Sequence, residues 1–267
     1  MTNPYSVDDL ITLMSRLRDP ETGCAWDIAQ TFQSIVPSTL EEAYEVVDAI
    51  EKADWKNVKE ELGDLLFQVI FYSQLGREEQ RFDFHQIVSD LVAKLIRRHP
   101  HVFPDGTLES QVASRHLLPD DVKVKWEAIK KQERAAKGAD TLLADVPVGL
   151  PSLSRAQKLQ KRAASVGFDW PDLEGPLTKL KEEIQELEER IQQKNLAAQE
   201  DELGDLLFSV VNVARHLKLD PEQALRKANQ KFERRFDYIE ANLHKPWGDT
   251  NLQELDELWN KAKSHES

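Results

Sequence analysis

The chain of 267 residues has a formal net charge of −13, with 40% hydrophobic and 31% charged residues. An acidic chain lacks the basic face that displaces counterions from nucleic acid, so nucleic-acid binding is not expected. A single cysteine, Cys24, excludes an intrachain disulfide and a cysteine-based zinc site. The amino terminus has no signal-peptide pattern and no apolar run reaches the length of a membrane span. We therefore predict a cytoplasmic protein without membrane contact.

The chain contains an internal duplication. Residues Glu61–Phe67 recur letter for letter as Glu202–Phe208, and the acids of residues 41–45 recur in residues 182–186 at the same offset of 141 residues. Basic residues and a tryptophan–lysine pair repeat downstream in the same order: Lys94, Arg97, Arg98, Trp126 and Lys130 match Lys231, Arg234, Arg235, Trp259 and Lys263. We predict two homologous modules, residues 1–136 and 151–267, joined by a linker over residues 137–150, which contains glycines and a proline.

Each module is predicted to consist of helices. In the first module, residues 41–51 have a helical composition, apolar residues recur at helical spacing from Leu62 to Ser73, and a third helix is expected over Phe84–Arg98. The corresponding segments of the second module are Glu182–Gln193, Leu203 to Ala214 and Pro221–Leu243. Asp54 and Asn195 stand at the expected N-cap of the second helix in each module.

The predicted fold class is all-α, because no segment alternates between apolar and polar residues over the length of a strand. We expect two tandem helical modules whose four-helix-bundle-like arrangements are completed by dimerisation. Apolar residues on more than one side of the helices, among them Phe67, Phe71 and Phe208, indicate surface that a second copy would cover. The predicted assembly is therefore a homodimer.

Four acidic residues in each module are expected to converge. Residues three apart share a helix face, and a helix that folds back brings a second such pair opposite the first. The sets are Glu42, Glu45, Glu61 and Asp64 in the first module and Glu183, Glu186, Glu202 and Asp205 in the second. Clustered carboxylates repel one another without a cation, and oxygen ligands suit Mg²⁺ or Mn²⁺. A merely solvated face is less favoured, because Glu61 and Asp64 interrupt an apolar segment beyond the first helical turn.

This pattern, Glu-Glu-x-x-Glu followed by Glu-x-x-Asp on the next helix, resembles the MazG family of nucleoside triphosphate pyrophosphohydrolases. That family belongs to the all-α NTP pyrophosphatases, with the dimeric dUTPases and the phosphoribosyl-ATP pyrophosphohydrolases. The segments Gly23–Asp27 and Arg97–Phe103 add to the resemblance, which covers both modules and nearly the whole chain. Ala25 stands where the family usually has proline and Phe32 where histidine is common, but both lie outside the acids.

The resemblance implies Mg²⁺-dependent hydrolysis of a nucleoside triphosphate to the monophosphate and pyrophosphate. It makes the eight clustered acids metal ligands and Glu182 the candidate for positioning or deprotonating the attacking water. The residues expected to contact the nucleotide are Lys179, Lys231, Arg234, Arg235, Trp259 and Lys263. The alternatives for these side chains are a solvated basic helix face and, for the tryptophan, a place in the core.

The second module is expected to be the principal enzyme. Lys179 and Lys181 precede its acids, where the first module has Ser38 and Leu40, and cations beside a triphosphate strengthen its binding. The alternative for the same lysines is a solvated i, i+4 pairing with Glu183 or Gln185. Two alternatives remain open from the sequence. One is a specialised pyrophosphohydrolase for a damaged or modified nucleotide, and the other is a non-catalytic helical scaffold that senses nucleotides or binds a protein.

Overall fold

The computed structural model describes residues 5–112 and 141–265, together with Val122, Trp126, Ile129 and Glu133. Its described elements are helices, with no strand among them, so the prediction of an all-α fold is confirmed. The chain divides into two compact units, residues 1–133 and 134–267. Val146 is buried and Asp145 pairs with Arg162 at 2.9 Å, so the described part of the predicted linker packs on the second unit. The predicted limits of the modules stay a prediction, and Lys130 lies outside the described residues.

The first unit contains five described helices: α1 (Val7–Leu17), α2 (Ala25–Ala29), α3 (Val36–Glu51), α4 (Trp55–Glu78) and α5 (Phe84–Arg98). Helices α3 and α4 form a hairpin, on which α1 and α5 pack through α4. Asp54 caps α4 by accepting a hydrogen bond from the backbone N–H of Asn57 at 3.2 Å, which confirms the predicted N-cap. The predicted bounds of α5 are also confirmed.

The core of the first unit lies between α1, the segment before α3, and the carboxyl-terminal half of α4. It consists of Met14, Ile35, Ile70, Phe71 and Leu75. The expectation that Phe71 contributes exposed apolar surface is wrong, because the residue is only 1% exposed. Phe67 is half-buried and packs against the same core. Helical spacing predicted that both rings lie on α4. It could not predict which face of α4 is covered by the rest of the unit and which face is exposed.

The second unit repeats this arrangement with α6 (Ser152–Ala164), α7 (Glu174–Gln193), α8 (Leu196–His216) and α9 (Pro221–Asn242), followed by a 3₁₀ turn (Trp247–Asp249) and α10 (Leu252–His265). Helices α7 and α8 form the hairpin that corresponds to α3 and α4. Asn195 caps α8 by accepting from the backbone N–H of Ala198 at 3.3 Å, as predicted. Among the described helices, none combines the length and the apolar composition needed to cross a membrane.

The two units differ where the hairpin meets the preceding segment. At the repeat positions of Phe71, Gln74 and Leu75, the second unit has Asn212, Arg215 and His216. The guanidinium of Arg215 donates to Asp169 at 2.8 Å and to Asn212 at 3.0 Å, and the ring of His216 lies 3.1 Å from Asp169. A polar network therefore replaces part of the apolar core of the first unit.

Replacement of Asp169 by asparagine is expected to destabilise the second unit by about 1.5–3 kcal/mol, because it leaves the mostly buried guanidinium of Arg215 without its countercharge. Hydrogen bonds from Arg215 lower the pKa of Asp169 to about 2. A depressed acid pKa stabilises the fold above its unfolded value and the gain is lost as pH falls towards about 2. Urea denaturation near neutral pH measures the loss. The exposed Asp237→Asn serves as control, and equal effects of the two substitutions contradict the network's role.

Candidate active site

Three of the four acids expected in the second unit converge between α7 and α8. Glu183 and Glu186 of α7 and Glu202 of α8 each present a carboxylate oxygen within 4.8 Å of the others. Glu183 is only 4% exposed, and its Oε2 atom is buried without a hydrogen-bond partner. A buried carboxylate oxygen is costly unless something satisfies it, and a divalent cation among three carboxylates does so. The residues present therefore fit a hard, oxygen-binding metal ion.

The first unit carries the same cluster. Carboxylate oxygens of Glu42, Glu45 and Glu61 lie within 4.8 Å of one another between α3 and α4. Burial, followed by the negative charges of Asp64 and Glu45, raises the pKa of Glu42, and a hydrogen bond involving Gln68 opposes this shift. Burial and the proximity of Glu45 raise the pKa of Glu61. Both hairpins therefore hold their acids in the same geometry, in which neighbouring carboxylates repel one another.

The fourth predicted acid of each set, Asp64 or Asp205, lies outside the three-residue group, and both side chains are exposed. Partial desolvation beside the hairpin, followed by the charge of Glu183, nevertheless raises the pKa of Asp205, so this carboxylate lies within electrostatic range of the cluster. Asp205 also borders an open groove of about 590 Å³ along the start of α8. It is placed to reach a ligand that enters this groove beside the cluster.

Metal binding is expected to weaken as pH falls, and this loss should begin at a pH above the ordinary pKa values of carboxylates. Burial raises the pKa of Glu186 and Asp205, as it does for Glu42 and Glu61. Burial and neighbouring negative charges penalise the ionised carboxylates, so the fold is destabilised as pH rises through their raised pKa values. A cation bound among the carboxylates offsets this penalty, and the offset grows with pH. The increase in melting temperature on adding Mg²⁺ should be larger at about pH 7.5 than at about pH 5. An equal increase at both pH values contradicts this account.

Two cations of the second unit contact its acids directly. The ammonium group of Lys179 lies 2.7 Å from Glu182 and 2.8 Å from Glu183, and Arg190 donates to Glu202 at 3.0 Å. Lys179 was predicted from the sequence as a site residue, whereas Arg190 was not. The repeat held a signal, because Ser38 and Ala49 occupy the corresponding positions of the first unit. The negative charge of the acidic cluster in the second unit is therefore neutralised in part by Lys179 and Arg190.

The other predicted nucleotide contacts form a separate group on α9 and α10. The guanidinium of Arg235 lies over the ring of Trp259 at 5.5 Å, and Phe232 packs on the same tryptophan at 5.2 Å. Lys231 and Arg234 are exposed on α9, and Lys263 is exposed on α10. The structure therefore places these candidates on one pair of helices and the acids on another.

In the first unit, the matching arginines have a carboxylate partner. Glu133 accepts hydrogen bonds from Arg97 at 2.7 Å and from Arg98 at 2.5 Å. Neither this glutamate nor its role was recognised in the sequence, because the contact joins residues that are distant along the chain.

Fold and site together define an all-α protein with two acidic helical hairpins, each suited to a divalent cation. The sequence profile of the MazG nucleotide pyrophosphohydrolase domain matches residues 30–103 and 173–239. The chain is 49% identical over 265 residues to the nucleoside triphosphate pyrophosphohydrolase of Escherichia coli K12, covering 97% of this chain and 98% of that protein. It is 42% identical over 259 residues to the nucleoside triphosphate pyrophosphohydrolase/pyrophosphatase MazG of Thermotoga maritima, covering 96% and 95%. This chain belongs to the MazG family, as the sequence predicted.

Proposed function

We propose that the chain hydrolyses nucleoside triphosphates to the monophosphate and pyrophosphate, with Mg²⁺ as the preferred cofactor, Mn²⁺ as the alternative, and the second unit as the principal site. The observation that carries the proposal is the cluster of Glu183, Glu186 and Glu202, with its unsatisfied buried oxygen. The relatives from Escherichia coli and Thermotoga maritima carry this activity in their names. The proposal also includes a cytoplasmic location.

In the proposed mechanism, the three clustered glutamates and Asp205 would hold the metal ion, which would supply positive charge to offset the charge of the phosphate oxygens. Water attacks the α-phosphorus in line, the bond to the bridging oxygen breaks, and pyrophosphate leaves. Glu182 is exposed beside the cluster and accepts the proton of the water. Lys179 holds Glu182 and Glu183 in place through its two ion pairs.

The cations of α9 and α10 supply the remaining contacts in this mechanism. Guanidinium and ammonium groups bind phosphate oxygens through charge-assisted hydrogen bonds, and an aromatic ring stacks on a base. The residues assigned to these roles are Lys231, Arg234, Arg235 and Lys263 for the phosphates and Trp259 for the base. The cation–aromatic contact between Arg235 and Trp259 supports a shared role, because it holds one phosphate-binding group beside the stacking surface.

A substrate panel with product analysis tests the proposal. Ordinary and modified ribo- and deoxyribonucleoside triphosphates are incubated with the full chain and Mg²⁺, and products are separated by ion-exchange chromatography. The expected products are monophosphate and pyrophosphate, and EDTA should abolish their formation. Orthophosphate with nucleoside diphosphate, or turnover that persists in EDTA, contradicts the proposal. Turnover restricted to one modified nucleotide identifies the specialised form of the enzyme.

We further propose that the chain forms a homodimer through the open faces of its hairpins. In α8, the inward-facing Val211 is buried, whereas Leu203, Leu207 and Phe208 remain exposed, Phe208 at 44%. In α4, Leu62, Leu66 and Val69 are likewise exposed. Contiguous apolar surface of this kind favours association, and twofold pairing is its commonest form. Light scattering should give twice the mass of one chain, and a dilution-independent mass near 30.7 kDa contradicts the dimer.

A further inference from the structure

Arg190 contacts one of the three clustered glutamates of the second unit from a fixed position. It lies in the last turn of α7, and its Nε donates to Oε1 of Glu202 on α8 at 3.0 Å. Its Nη1 donates to Oε1 of Gln193 at 3.3 Å, and its backbone carbonyl accepts from Nε2 of Gln199 at 3.2 Å. The guanidinium is therefore held beside the turn of the hairpin, with one N–H directed at the acidic cluster.

This contact occupies only one oxygen of the Glu202 carboxylate. Within the part of the chain that the structure describes, the other oxygen, Oε2, accepts no hydrogen bond. Glu183 shows the same division, because its Oε1 pairs with Lys179 at 2.8 Å whereas its buried Oε2 has no partner. Two of the three clustered carboxylates thus each have one oxygen held by a side-chain cation and the other unpaired.

The number of oxygens that each carboxylate can offer decides which ion suits the cluster. Mg²⁺ demands a small octahedral set of ligands, whereas Ca²⁺ accepts more oxygens, at longer distances, including both oxygens of one carboxylate. While Arg190 holds Oε1, Glu202 can offer an ion only Oε2, and Lys179 restricts Glu183 in the same way. The acids of the second unit are therefore arranged as ligands through one oxygen each, which favours the smaller ion.

The first unit lacks this restriction at the corresponding position. It has Ala49 where the second unit has Arg190, and Glu61 repeats Glu202. Alanine has no side-chain donor, so residue 49 cannot hold an oxygen of Glu61. The repeat therefore supplies a natural template for a variant without the contact.

We propose that Arg190 is a positioning residue that determines the ion specificity of the second unit. By holding Oε1 of Glu202, it keeps this carboxylate from binding an ion through both oxygens, and the cluster selects Mg²⁺ over Ca²⁺. The inference rests on the proposed metal centre and adds to it the residue that sets the choice of ion.

The test compares Mg²⁺ and Ca²⁺ as competitors for Mn²⁺ bound to the full chain, without nucleotide, with free Mn²⁺ followed by electron paramagnetic resonance. All proteins carry Glu45→Gln and Glu61→Gln, which remove two of the three clustered carboxylates of the first unit. Arg190→Ala should lower the preference for Mg²⁺ over Ca²⁺ by about tenfold or more, because outer partners of metal ligands are worth roughly 10- to 100-fold in affinity.

Two further variants separate the hydrogen bond from the charge. Arg190→Gln removes the charge but places an N–H donor at the same distance along the side chain as Nε, so it should keep most of the preference for Mg²⁺. Lys158→Ala removes an exposed positive charge from α6, and it should leave the preference unchanged. Thermal melting by circular dichroism verifies each fold, and Arg190→Leu, which also lacks a donor, replaces Arg190→Ala if that protein does not fold.

An unchanged preference in the variant without a donor, or an equal loss in that variant and in Arg190→Gln, overturns the proposal. Either result leaves the proposed metal centre standing, provided that the protein with Arg190 still binds Mg²⁺. If the protein with Arg190 binds none of the three ions, the result contradicts both the inference and the metal centre.

Discussion

Replacement of Asp205 by alanine is expected to lower the release of pyrophosphate from ATP by about a hundredfold or more. The metal ion is expected to supply several kcal/mol of charge stabilisation in the transition state, and each ~1.4 kcal/mol lost costs about tenfold in rate. Asp205 is exposed at the edge of the acidic cluster, so its replacement by alanine removes a proposed metal ligand without opening a cavity in a core. The melting temperature should therefore change little while the rate falls.

Asp64→Ala is the matched control, because Asp64 occupies the same repeat position in the first unit. Its effect on the rate should be small if the second unit is the principal site. Pyrophosphate release is measured with a coupled assay at saturating Mg²⁺, and unfolding is followed by circular dichroism. Equal losses in the two variants, or a greater loss with Asp64→Ala, contradict the assignment of activity to the second unit.

Replacement of Lys179 by serine, the residue at the corresponding position of the first unit, should lower kcat/KM by about 10- to 100-fold. Lys179 forms two ion pairs, with Glu182 at 2.7 Å and Glu183 at 2.8 Å. Loss of a hydrogen-bonded charge costs about 1.5–3 kcal/mol, and every ~1.4 kcal/mol corresponds to a factor of ten. Buried Glu183 then loses a countercharge, and Glu182 loses the contact that orients it.

Lys181→Leu is the control for this substitution. Lys181 is exposed two residues further along α7, and leucine is the residue found at the matching position of the first unit. Steady-state kinetics with ATP should show a change of about threefold or less, because an isolated exposed charge contributes little. A rate loss with Lys181→Leu that equals or exceeds that with Lys179→Ser shows that the ion pairs of Lys179 are not the source of the difference between the units.

Much of the fold could be predicted because its signals are local. Asp54 and Asn195 stand at helix starts where a side-chain oxygen satisfies a free backbone N–H, and both are observed as N-caps. Helix α5 begins and ends at the predicted residues, Phe84 and Arg98. The acidic clusters were also predictable, because fixed i, i+3 spacing on two successive helices leaves few ways to arrange the carboxylates once the hairpin closes.

The features of the fold and the site that could not be predicted depend on contacts between residues that are distant along the chain. The pairing of Arg190 with Glu202 and of Glu133 with Arg97 has no periodic signature, so hydrophobic spacing cannot reveal it. The burial of Phe71 depends on α1 covering that part of α4. For the charges around the acids, the informative sequence signal is a comparison of the two repeats. The first unit has Ala49 where the second has Arg190, so this position adds a positive charge to the second cluster and none to the first.

The most direct test of the central claim is the fate of the oxygen from water. ATP is hydrolysed by the full chain with Mg²⁺ in ¹⁸O-labelled water, and the products are analysed by mass spectrometry. Attack on the α-phosphorus places one labelled oxygen in AMP and none in pyrophosphate. Label found in pyrophosphate or in orthophosphate contradicts the account, because water would then have attacked the β- or the γ-phosphorus.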